Sequence, residues 1–460
     1  MRTLIPALLL AFGVSAGTLA QAQTCTPTPV SPWIATNGSW TQTSSATLTA
    51  GNSAILGPQP INGGSWTWSG CGTSGSAREQ TITPAANCTA TATYTNACGA
   101  KTTQAFAINV SSSSAAVKVM PNPGINLGNT LESTWGYTPP TQALINSMAN
   151  AGFKTLRVPC AWDFNSTNGT INAAYMQQVV NVVDWALAKG MYVIINDHWD
   201  NGWFERNGFN SYDPAINSKL INMWTQIANT FKWYDSNKLA FACANEPDAN
   251  SQAKTNVLYQ YQQNWINAMR ANGGGNAVRW LIIQGPNTNI DNPINWGKNR
   301  PSDPANKRMI EVHDYDPFDF TLMDKDESWG TWKAFWGYNY HVSNQFANRN
   351  VKAGDDESLV DINLNKMRYF TDRGIPVLIG EYRAGVKPAG LLTGSYKDQN
   401  YRSVTHWNKY VQNKINSLGF SGTGWVIQND LFHPSTGAVL DWNMLGSMLG
   451  TSEYGPIGGL

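Results

Sequence analysis

Eight short apolar runs alternate with longer amphipathic segments, and this alternation constrains the fold more than any other feature of the chain. The runs are Gly124–Gly128, Lys154–Pro159, Met191–Asn196, Leu239–Ala244, Arg279–Gln284, Arg308–Val312, Pro376–Gly380 and Gly422–Ile427. Apolar residues recur at helical spacing between them, at 175–188, 216–232, 253–271, 357–373 and 401–418. The fifth crossover, 285–307, is rich in Asn and Pro and has only a weak helical pattern. The alternation predicts an α/β fold, a (β/α)₈ TIM barrel over residues 121–460.

The chain before the barrel has a different composition. Residues 1–22 combine a basic start, an apolar stretch and small residues before a cleavage site, which predicts a signal peptide and a secreted protein. Residues 23–110 are rich in Thr, Ser and Gly and alternate polar with apolar residues, as in Thr89–Thr95. This pattern predicts a small antiparallel all-β sandwich. Residues 111–120 are predicted to form a Ser-rich linker.

The cysteines are concentrated in the predicted sandwich. The four that fall in the first hundred residues are Cys25, Cys71, Cys88 and Cys98. An even number of cysteines in a small exported module predicts two disulfides, with their pairing left open. Cys160 and Cys243 lie beside apolar runs of the barrel region, and we expect them to be buried free thiols.

The charge balance argues against several classes of partner. The chain has 31 basic and 30 acidic side chains, and charged residues make up 13% of it, so it has no basic field suited to nucleic acid or to an anionic membrane surface. No segment after the signal peptide is long and uncharged enough to span a bilayer. The 20 Trp residues offer ring faces that stack well on sugar rings. We therefore expect an exported monomer that acts on a neutral polysaccharide.

Two glutamates come directly after strand-like runs that lie far apart in sequence. Glu246 follows Leu239–Ala244, and Glu381 follows Pro376–Gly380. Because the carboxyl ends of parallel barrel strands open onto one face, these two side chains are predicted to converge. Paired carboxylates in a cleft are the groups that cleave glycosidic bonds.

Further polar and aromatic residues fall at the same predicted rim. They are Asn129 and Glu132 after the first run, Arg157 in the second, His198 after the third, Asn245 after the fourth, His313 and Tyr315 after the sixth, and Trp425 in the eighth. Each of them alone has an ordinary structural explanation, such as an ion pair or a core aromatic. Stability gives no reason to collect titratable groups at one end of a barrel, so their joint position favours a catalytic cleft.

These segments together resemble the family 5 glycoside hydrolases, the group of many bacterial cellulases. The matching segments are Gly124–Glu132, Gly152–Pro159, Asn245–Pro247, His313–Tyr315 and Gly380–Tyr382. Asn245–Pro247 alone is a weak signal, but five segments in order at barrel spacing, over about residues 121–450, are a strong one. The resemblance implies a retaining endo-β-1,4-glucanase, a cellulase that acts on β-glucan and needs no metal or other cofactor. The N-terminal module resembles immunoglobulin-like or PKD-like modules in composition and length.

The resemblance also implies a role for each matching residue. Glu246 is expected to be the general acid and base and Glu381 the nucleophile, with carboxyl groups about 5–5.5 Å apart. A lowered pKa is expected for Glu381, beside Arg157 and Tyr315, and a raised pKa for Glu246. The remaining expected roles are hydrogen bonding to the sugar 2-hydroxyl for Asn245, positioning of hydroxyls and carboxylates for His198 and His313, and a floor under the sugar for Trp425.

Several aromatic residues are candidates for further sugar contacts. The rim candidates are Trp135, Trp203, Trp329 and Trp332, together with Glu132, and loop packing is the alternative for the aromatics. In the N-terminal module, Trp40, Trp66 and Trp68 are candidates for a glucan-stacking face, with core filling as the alternative. One position departs from the family pattern: the family often has two consecutive histidines after the third strand, whereas this chain has only His198.

Other functions remain open at this stage. A mannanase, a xyloglucanase or a mixed-linkage glucanase would use the same chemistry, because loops decide the substrate. A non-catalytic polysaccharide-binding protein is less favoured, because both carboxylates are present. A metal-dependent hydrolase has little support, since the five histidines include no His-x-His or His-x-x-x-His pair. The acidic stretches 324–327 and 355–357 are read as solvated loops rather than calcium sites.

Overall fold

The computed structural model describes residues 25–36, 39–49, 53–84, 86–111, 119–207 and 209–458. The chain divides into two compact units, with the division at residues 113 and 114. The predicted signal peptide and most of the predicted linker lie outside the described residues. Within the described residues, no helix combines the length and the apolar character that a membrane span requires.

The N-terminal unit consists of two four-stranded sheets. In chain order the strands are β1 (Ile34–Thr36), β2 (Ser39–Thr41), β3 (Ser45–Thr49), β4 (Ala54–Leu56), β5 (Gly64–Ser69), β6 (Gln80–Ile82), β7 (Cys88–Asn96) and β8 (Lys101–Ser111). One sheet has the order β2-β1-β4-β6 and the other β3-β8-β7-β5. All pairs are antiparallel except β3 with β8, which is parallel, so the prediction of a wholly antiparallel module was wrong at this pair.

Period-two alternation builds the core of this unit. In β7 the small or aromatic residues Ala90, Ala92 and Tyr94 are buried, while the Thr residues between them are more exposed. Trp66 lies opposite Tyr94 and is buried against it, and Trp68 stacks on Phe106 and donates to a main-chain carbonyl. Both tryptophans therefore fill the core side of the sandwich, and neither forms the stacking face considered from the sequence.

The structure also shows the exposure of Trp40, the pairing of the four N-terminal cysteines and the state of the two remaining thiols. Trp40 remains exposed beside Arg78. The disulfides join Cys25 with Cys98 and Cys71 with Cys88. Cys160 and Cys243 of the second unit are buried free thiols, as expected.

The second unit is a closed barrel of eight parallel strands, which confirms the predicted fold class. The barrel strands are β9 (Gly124–Asn126), β10 (Thr155–Val158), β13 (Tyr192–Asn196), β14 (Leu239–Ala242), β15 (Leu281–Asn289), β16 (Arg308–Asp314), β17 (Val377–Tyr382) and β18 (Ser421–Gly424). Each lies within or overlaps one of the eight predicted runs. A small hairpin, β11 (Ser166–Thr167) and β12 (Thr170–Ile171), lies in the loop after β10.

Helices surround the barrel. Each of the five predicted periodic segments corresponds to one or two of them, whereas Gln142–Ala151, Phe318–Thr321 and Trp442–Met448 were not predicted. The helices are α1 (Gln142–Ala151), α2 (Ala173–Ala188), α3 (Pro214–Thr230), α4 (Gln252–Asn272), α5 (Asn292–Asn295), α6 (Phe318–Thr321), α7 (Glu357–Lys366), α8 (Arg368–Thr371), α9 (Ser395–Ser417) and α10 (Trp442–Met448). The fifth crossover forms only the four-residue α5 and a short 3₁₀ turn, as its weak helical pattern indicates.

Alternation along the strands decides which side chains enter the barrel. In β13, Val193 and Ile195 pack outward against the helices, whereas Ile194 belongs to the core inside the barrel. In β10, Leu156 packs outward, so Arg157 faces inward. Every second residue of a strand therefore faces the barrel interior. These inward residues are apolar at one end of the barrel and include charged residues near the carboxyl ends of the strands.

Candidate active site

The carboxyl ends of the barrel strands bring Glu246 and Glu381 together. Glu246 lies in the loop after β14, and Glu381 lies within β17. A carboxylate oxygen of each and a ring nitrogen of His313 all lie within 4.8 Å of one another. The two acids, separated by 135 positions in the sequence (381 − 246), therefore open onto one small volume.

A register shift in β16 turns His313 toward both acids. The pairing of β16 with β17 shifts between Val312 and His313, and His313 then pairs with Glu381. Irregularities of this kind re-aim a side chain within a sheet. Nδ1 of His313 lies 2.8 Å from Oε1 of Glu246 and 3.8 Å from Oε2 of Glu381.

Arg157 connects Glu311, on the inner wall of the barrel, to Glu381 at the candidate active site. Its Nε lies 2.9 Å from Oε1 of Glu311, and its Nη1 lies 3.0 Å from Oε1 of Glu381. The guanidinium also donates to Oδ1 of Asn126 and of Asn245, at 2.9 Å each. Arg157 and Glu311 are both 0% exposed. A charge buried to this extent needs close partners, and Arg157 has an ion-pair contact at Nε and hydrogen bonds at Nη1 and Nη2.

Glu311 fits into the barrel because position 380 is glycine. A Cβ on Gly380 would lie 2.0 Å from Oε1 of Glu311. Nε2 of Gln284 donates to the other Glu311 oxygen at 2.6 Å, and Oε1 of Gln284 accepts from the main-chain N–H of Ala244 at 2.9 Å. Glu311 of β16 thus contacts Arg157 of β10 across the barrel, and Gln284 of β15 connects it to the loop that carries Glu246.

Tyr315, His198 and Trp425 complete the surroundings of Glu381. The Tyr315 hydroxyl donates to Oε2 of Glu381 at 2.9 Å. Nδ1 of His198 lies 3.8 Å from Oε1 of the same carboxylate, and the His198 ring stacks on Trp425 with ring centroids 5.3 Å apart. A Cβ on Gly128 would lie 2.9 Å from the Trp425 ring, so glycine at 128 makes room for the indole.

The pKa shifts of the two acids run opposite to the sequence-based expectation. Burial raises the pKa of Glu246, but the hydrogen bond from His313 and the charges of His313 and Arg157 outweigh it, so the pKa is lowered. Burial also raises the pKa of Glu381, and the charges of His313 and Arg157 offset this only in part, so the pKa is raised. The expected directions were therefore wrong for the substrate-free site. The prediction took account of Arg157 and Tyr315 but not of the donor beside Glu246.

His313 lies among three carboxylates, which favour its protonated form. Burial lowers its pKa, but Glu381, Glu246 and Glu311 together raise it to about 10. Glu246, His313 and Glu381 are also the group, among the described residues, whose ligand atoms are close enough to hold a cation. The hydrogen bond between His313 and Glu246 joins an imidazole to a carboxyl group, an arrangement suited to proton transfer. His198, considered from the sequence as a further ligand, does not belong to the group.

A comparison with protein-family models identifies the family of the chain. The model for cellulase, glycosyl hydrolase family 5, matches residues 113–430, which is more than half of the chain. The chain belongs to glycosyl hydrolase family 5. This confirms the resemblance found in the sequence and makes the chain a glycoside hydrolase by family. The immunoglobulin-like or PKD-like character of the N-terminal unit stays a prediction.

Named relatives of this family 5 chain are glucanases. A xyloglucan-specific endo-β-1,4-glucanase of Bacteroides ovatus is 33% identical over 312 residues, which cover 63% of this chain and 60% of that enzyme. Endoglucanase A of Paenibacillus barcinonensis is 30% identical over 324 residues, which cover 61% and 74% of the two chains. The chain therefore spans less than two thirds of the length of the B. ovatus enzyme.

A solved structure has the same architecture as this family 5 chain. It is a xyloglucan-specific β-1,4-glucanase from a ruminal metagenomic library, with a TM-score of 0.63 and 31% sequence identity. The match covers 73% of this chain and 94% of that one.

Glu132 of the family 5 chain lies away from the open cleft. It is 2% exposed, and its two oxygens accept the main-chain N–H groups of Asn129 and Thr130. Burial raises its pKa to about 7, and these N–H groups lower it in part. Glu132 therefore holds the turn after β9, and it presents almost no surface to a substrate.

The four rim tryptophans of the family 5 chain divide into two pairs. Trp135 and Trp329 are 65% and 68% exposed, so their rings are free to stack on a ligand. Trp203 donates to Asp200, and the Lys219 ammonium lies 4.4 Å from the centre of its ring. Trp332 is buried in a small core under a long loop. The loop-packing alternative therefore describes Trp203 and Trp332.

Sequence reasoning missed three residues of this site. Glu311 and Asn126 hold Arg157, and Glu205 is a buried acid beside Glu246. Asn126 ends the apolar strand β9, and Glu311 interrupts the apolar strand β16. A charged residue inside a buried apolar run was the signal that could have identified Glu311. Glu205 lies in a loop where the sequence has no periodic pattern, so its burial was not predictable.

Proposed function

We propose that this chain is a secreted, retaining endo-β-1,4-glucanase that hydrolyses internal bonds of cellulose or related β-glucans. The observation that carries the proposal is the approach of carboxylate oxygens of Glu246 and Glu381 to within 4.8 Å at the carboxyl end of the barrel. Retaining glycosidases have carboxyl groups about 5–5.5 Å apart, and inverting ones about 6.5–9.5 Å. The spacing supports double displacement.

In the first step Glu381 attacks the anomeric carbon. Its bond to that carbon forms as the glycosidic C–O bond breaks, and Glu246 donates a proton to the leaving oxygen. Arg157 and Tyr315 each bond a different oxygen of Glu381, which orients the carboxylate and stabilises its negative charge. In the second step Glu246 accepts a proton from water, and the water oxygen displaces Glu381 from the sugar.

Substrate binding supplies the protonation state that this mechanism needs. The Glu246 side chain is 37% exposed in the substrate-free site, whereas Glu381 is 7% exposed. A sugar ring that covers Glu246 removes water from it and raises its pKa. The substrate itself therefore counteracts the effect of His313 and favours protonated Glu246 beside ionised Glu381.

Three neighbours support the sugar at the point of cleavage. Oδ1 of Asn245 accepts from Arg157, which leaves its Nδ2 group to donate to the sugar 2-hydroxyl. His198 and Trp425 stack on each other, and the exposed part of the indole forms the floor of the cleft. A cavity of about 390 Å³ continues from Tyr315 and Trp425 toward Leu322 and Val386, which widens the cleft beside the cleavage point.

Xyloglucan is the second candidate substrate. The B. ovatus relative and the metagenomic structure are both named as xyloglucan-specific glucanases. The cavity beside Tyr315 and Trp425 has exposed apolar walls at Leu322 and Val386, which suits a branched glucan better than a narrow slot would.

The remaining parts of the chain fit an exported enzyme. We assign residues 1–22 to a signal peptide, 23–110 to an immunoglobulin-like module and 111–120 to a linker, followed by a catalytic domain that acts as a monomer. Two disulfides in the N-terminal unit support export to an oxidising compartment.

Substitution of either acid tests the mechanism. We expect Glu246→Gln and Glu381→Gln each to lower release of reducing ends from carboxymethylcellulose by at least about a thousandfold, because each removes a group that reacts directly. Circular dichroism should be unchanged, since both variants keep the side-chain volume. Glu327→Gln, on an exposed loop, is the matched control and should keep wild-type turnover. Near-normal turnover in either active-site variant would remove the mechanism.

The stereochemical outcome tests double displacement separately. The first products released from a cello-oligosaccharide should have the β configuration, because two displacements at one carbon restore it. Proton NMR during the first minutes distinguishes the anomers. Initial release of the α anomer would mean inversion and would contradict the role of Glu381 as nucleophile.

A further inference from the structure

Glu205 is a buried acid in the loop after β13 that the mechanism above does not use. It is 3% exposed. Its Oε1 accepts the main-chain N–H of Trp199 at 2.8 Å, and its carboxylate lies close enough to the main-chain N–H of Glu246 for that group to lower the pKa of Glu205. Its main-chain carbonyl accepts the N–H of Asp248 at 2.8 Å. Glu205 thus joins two segments, the 246–248 segment that carries the catalytic acid and the turn that carries Trp199.

The turn held by Glu205 has an unusual backbone. Trp199, Asp200, Asn201 and Gly202 have φ angles of 57°, 49°, 56° and 73°. Three consecutive residues with a Cβ rarely adopt this left-handed region, and such strain persists only where surrounding contacts enforce it. The contacts are visible: Glu205 accepts from Trp199, and Asp200 accepts main-chain N–H groups from Asp163 and Phe164.

The turn leaves the Trp199 side chain partly exposed. The indole is 38% exposed, and the guanidinium of Arg206 lies 5.7 Å from its ring centre. Arg206 is also close enough to Glu246 to lower the pKa of that acid. Glu205 therefore lies between an exposed aromatic ring and the acid that protonates the leaving group.

From this geometry we propose that Glu205 is a positioning residue, which holds the main chain of Glu246 and the Trp199 turn in one arrangement. The inference rests on the proposed role of Glu246 as general acid. Glu205 does not touch the reacting atoms. It acts through its hydrogen bonds to the Trp199 turn and to Asp248 and through its own charge beside Glu246.

The negative charge of Glu205 raises the pKa of Glu246. Burial raises the pKa of Glu205 to about 7, and the negative charge of Glu246 adds to this rise. The effect is reciprocal, so ionised Glu205 makes it harder for Glu246 to lose its proton. The other charged groups facing Glu205 are Arg206, which lowers its pKa, and the buried acid Asp197. Glu205 thus extends the pH range in which Glu246 stays protonated.

Glu205→Gln is the decisive variant, because it keeps the volume and removes the charge. With a chromogenic cello-oligosaccharide, we expect kcat to fall about tenfold and KM to change less than about threefold. The alkaline limb of kcat should move to lower pH by about half a unit, because Glu246 in the substrate complex then loses its proton more easily. Glu205→Asp keeps the charge, so it should lower kcat while the alkaline limb stays near its wild-type position.

Controls separate positioning from a general structural effect. Glu453→Gln removes a half-buried acid that bonds His406, and it should leave kcat and the pH profile at wild-type values. Wild-type kcat in Glu205→Gln, or a lowered kcat with an unmoved alkaline limb, would overturn the inference. Loss of folding in both Glu205 variants would assign the residue to stability alone and would also overturn it. If Glu246→Gln kept full turnover, the proposed function itself would fail, whatever the Glu205 variants did.

Discussion

At the scale of single residues, Arg157 connects the stability of the barrel to the chemistry of the site. It is fully buried, and its guanidinium bonds two carboxylates and two amide oxygens. Removing one partner of a buried pair leaves an uncompensated charge, which typically costs about 3–5 kcal/mol. Arg157 therefore cannot change without affecting both the fold and the orientation of Glu381.

A second charged group, His406, links stability to pH. Its ring nitrogens lie 2.9 Å from Glu357 and 2.7 Å from Glu453. Burial lowers its pKa, but the hydrogen bonds to these two carboxylates outweigh it and raise the pKa from 6.5 to about 8. A raised pKa stabilises the fold fully below pH 6.5, and this stabilisation is lost as the pH rises through about 8. The pKa values of Glu357 and Glu453 are lowered, so their contribution is lost as the pH falls below about 4.5.

We therefore expect His406→Gln to destabilise the protein most between about pH 5 and pH 6.5. A shift of about 1.5 pKa units corresponds to about 2 kcal/mol. Urea denaturation of the variant and the wild type at about pH 6 and about pH 9 measures the difference. The deficit should shrink at the higher pH, and an equal deficit at both values would contradict the assignment.

At the scale of elements, the pairing of β16 with β17 builds the centre of the site. The register shift after Val312 turns His313 toward both acids, and Gly380 in β17 leaves the space that Glu311 of β16 occupies. The pairing of these two strands therefore sets the positions of the His313, Glu311 and Glu381 side chains together. A substitution that disturbs this pairing should affect all three residues together.

Gly380→Ala tests this strand pair. The added methyl group would lie 2.0 Å from Oε1 of Glu311, a distance that real Cβ atoms do not adopt, so the strand or the Arg157–Glu311 pair must move. We expect turnover to fall at least about a hundredfold, because misplacement by about 1 Å has such an effect. Gly455→Ala, where an added Cβ meets open space, is the control and should behave as the wild type. Full activity in Gly380→Ala would show that Glu311 is not required where it lies.

At the scale of the whole molecule, the two units have separate hydrophobic cores. The N-terminal unit is built around residues such as Leu56 and Phe106, and the barrel around its own inner and outer clusters. Both disulfides lie within the N-terminal unit. The residues of the candidate site all belong to the barrel.

We expect deletion of residues 23–116 to leave kcat on a soluble glucan within about twofold of the full chain, because units with separate cores fold separately. Reducing-end release from carboxymethylcellulose by the two forms measures this. A collapse of soluble-substrate activity would mean that the N-terminal unit is part of the catalytic unit.

The strands and the catalytic pair could be predicted because they depend on local patterns. An apolar run followed by a carboxylate is visible in the sequence, and barrel geometry alone brings strand ends to one face. The directions of the Glu246 and Glu381 pKa shifts were predicted wrongly, because they depend on burial and on the donor His313, which lies 67 positions from Glu246. The exposure of Trp203, Trp332, Trp66 and Trp68 was equally hidden, since packing partners far away in sequence cover these rings.

The sequence by itself determined the barrel, its eight strands and the convergence of two glutamates, because periodicity and strand order are local properties that parallel topology converts into one active face. Only the tertiary structure decided which residues support those glutamates. The β16 register shift, the space left by Gly380 and the contact of Glu205 with the main chain of Glu246 all join segments far apart in the chain. Such contacts depend on the relative positions of these segments to within a few tenths of an ångström. The sequence pattern of a single segment does not encode those positions.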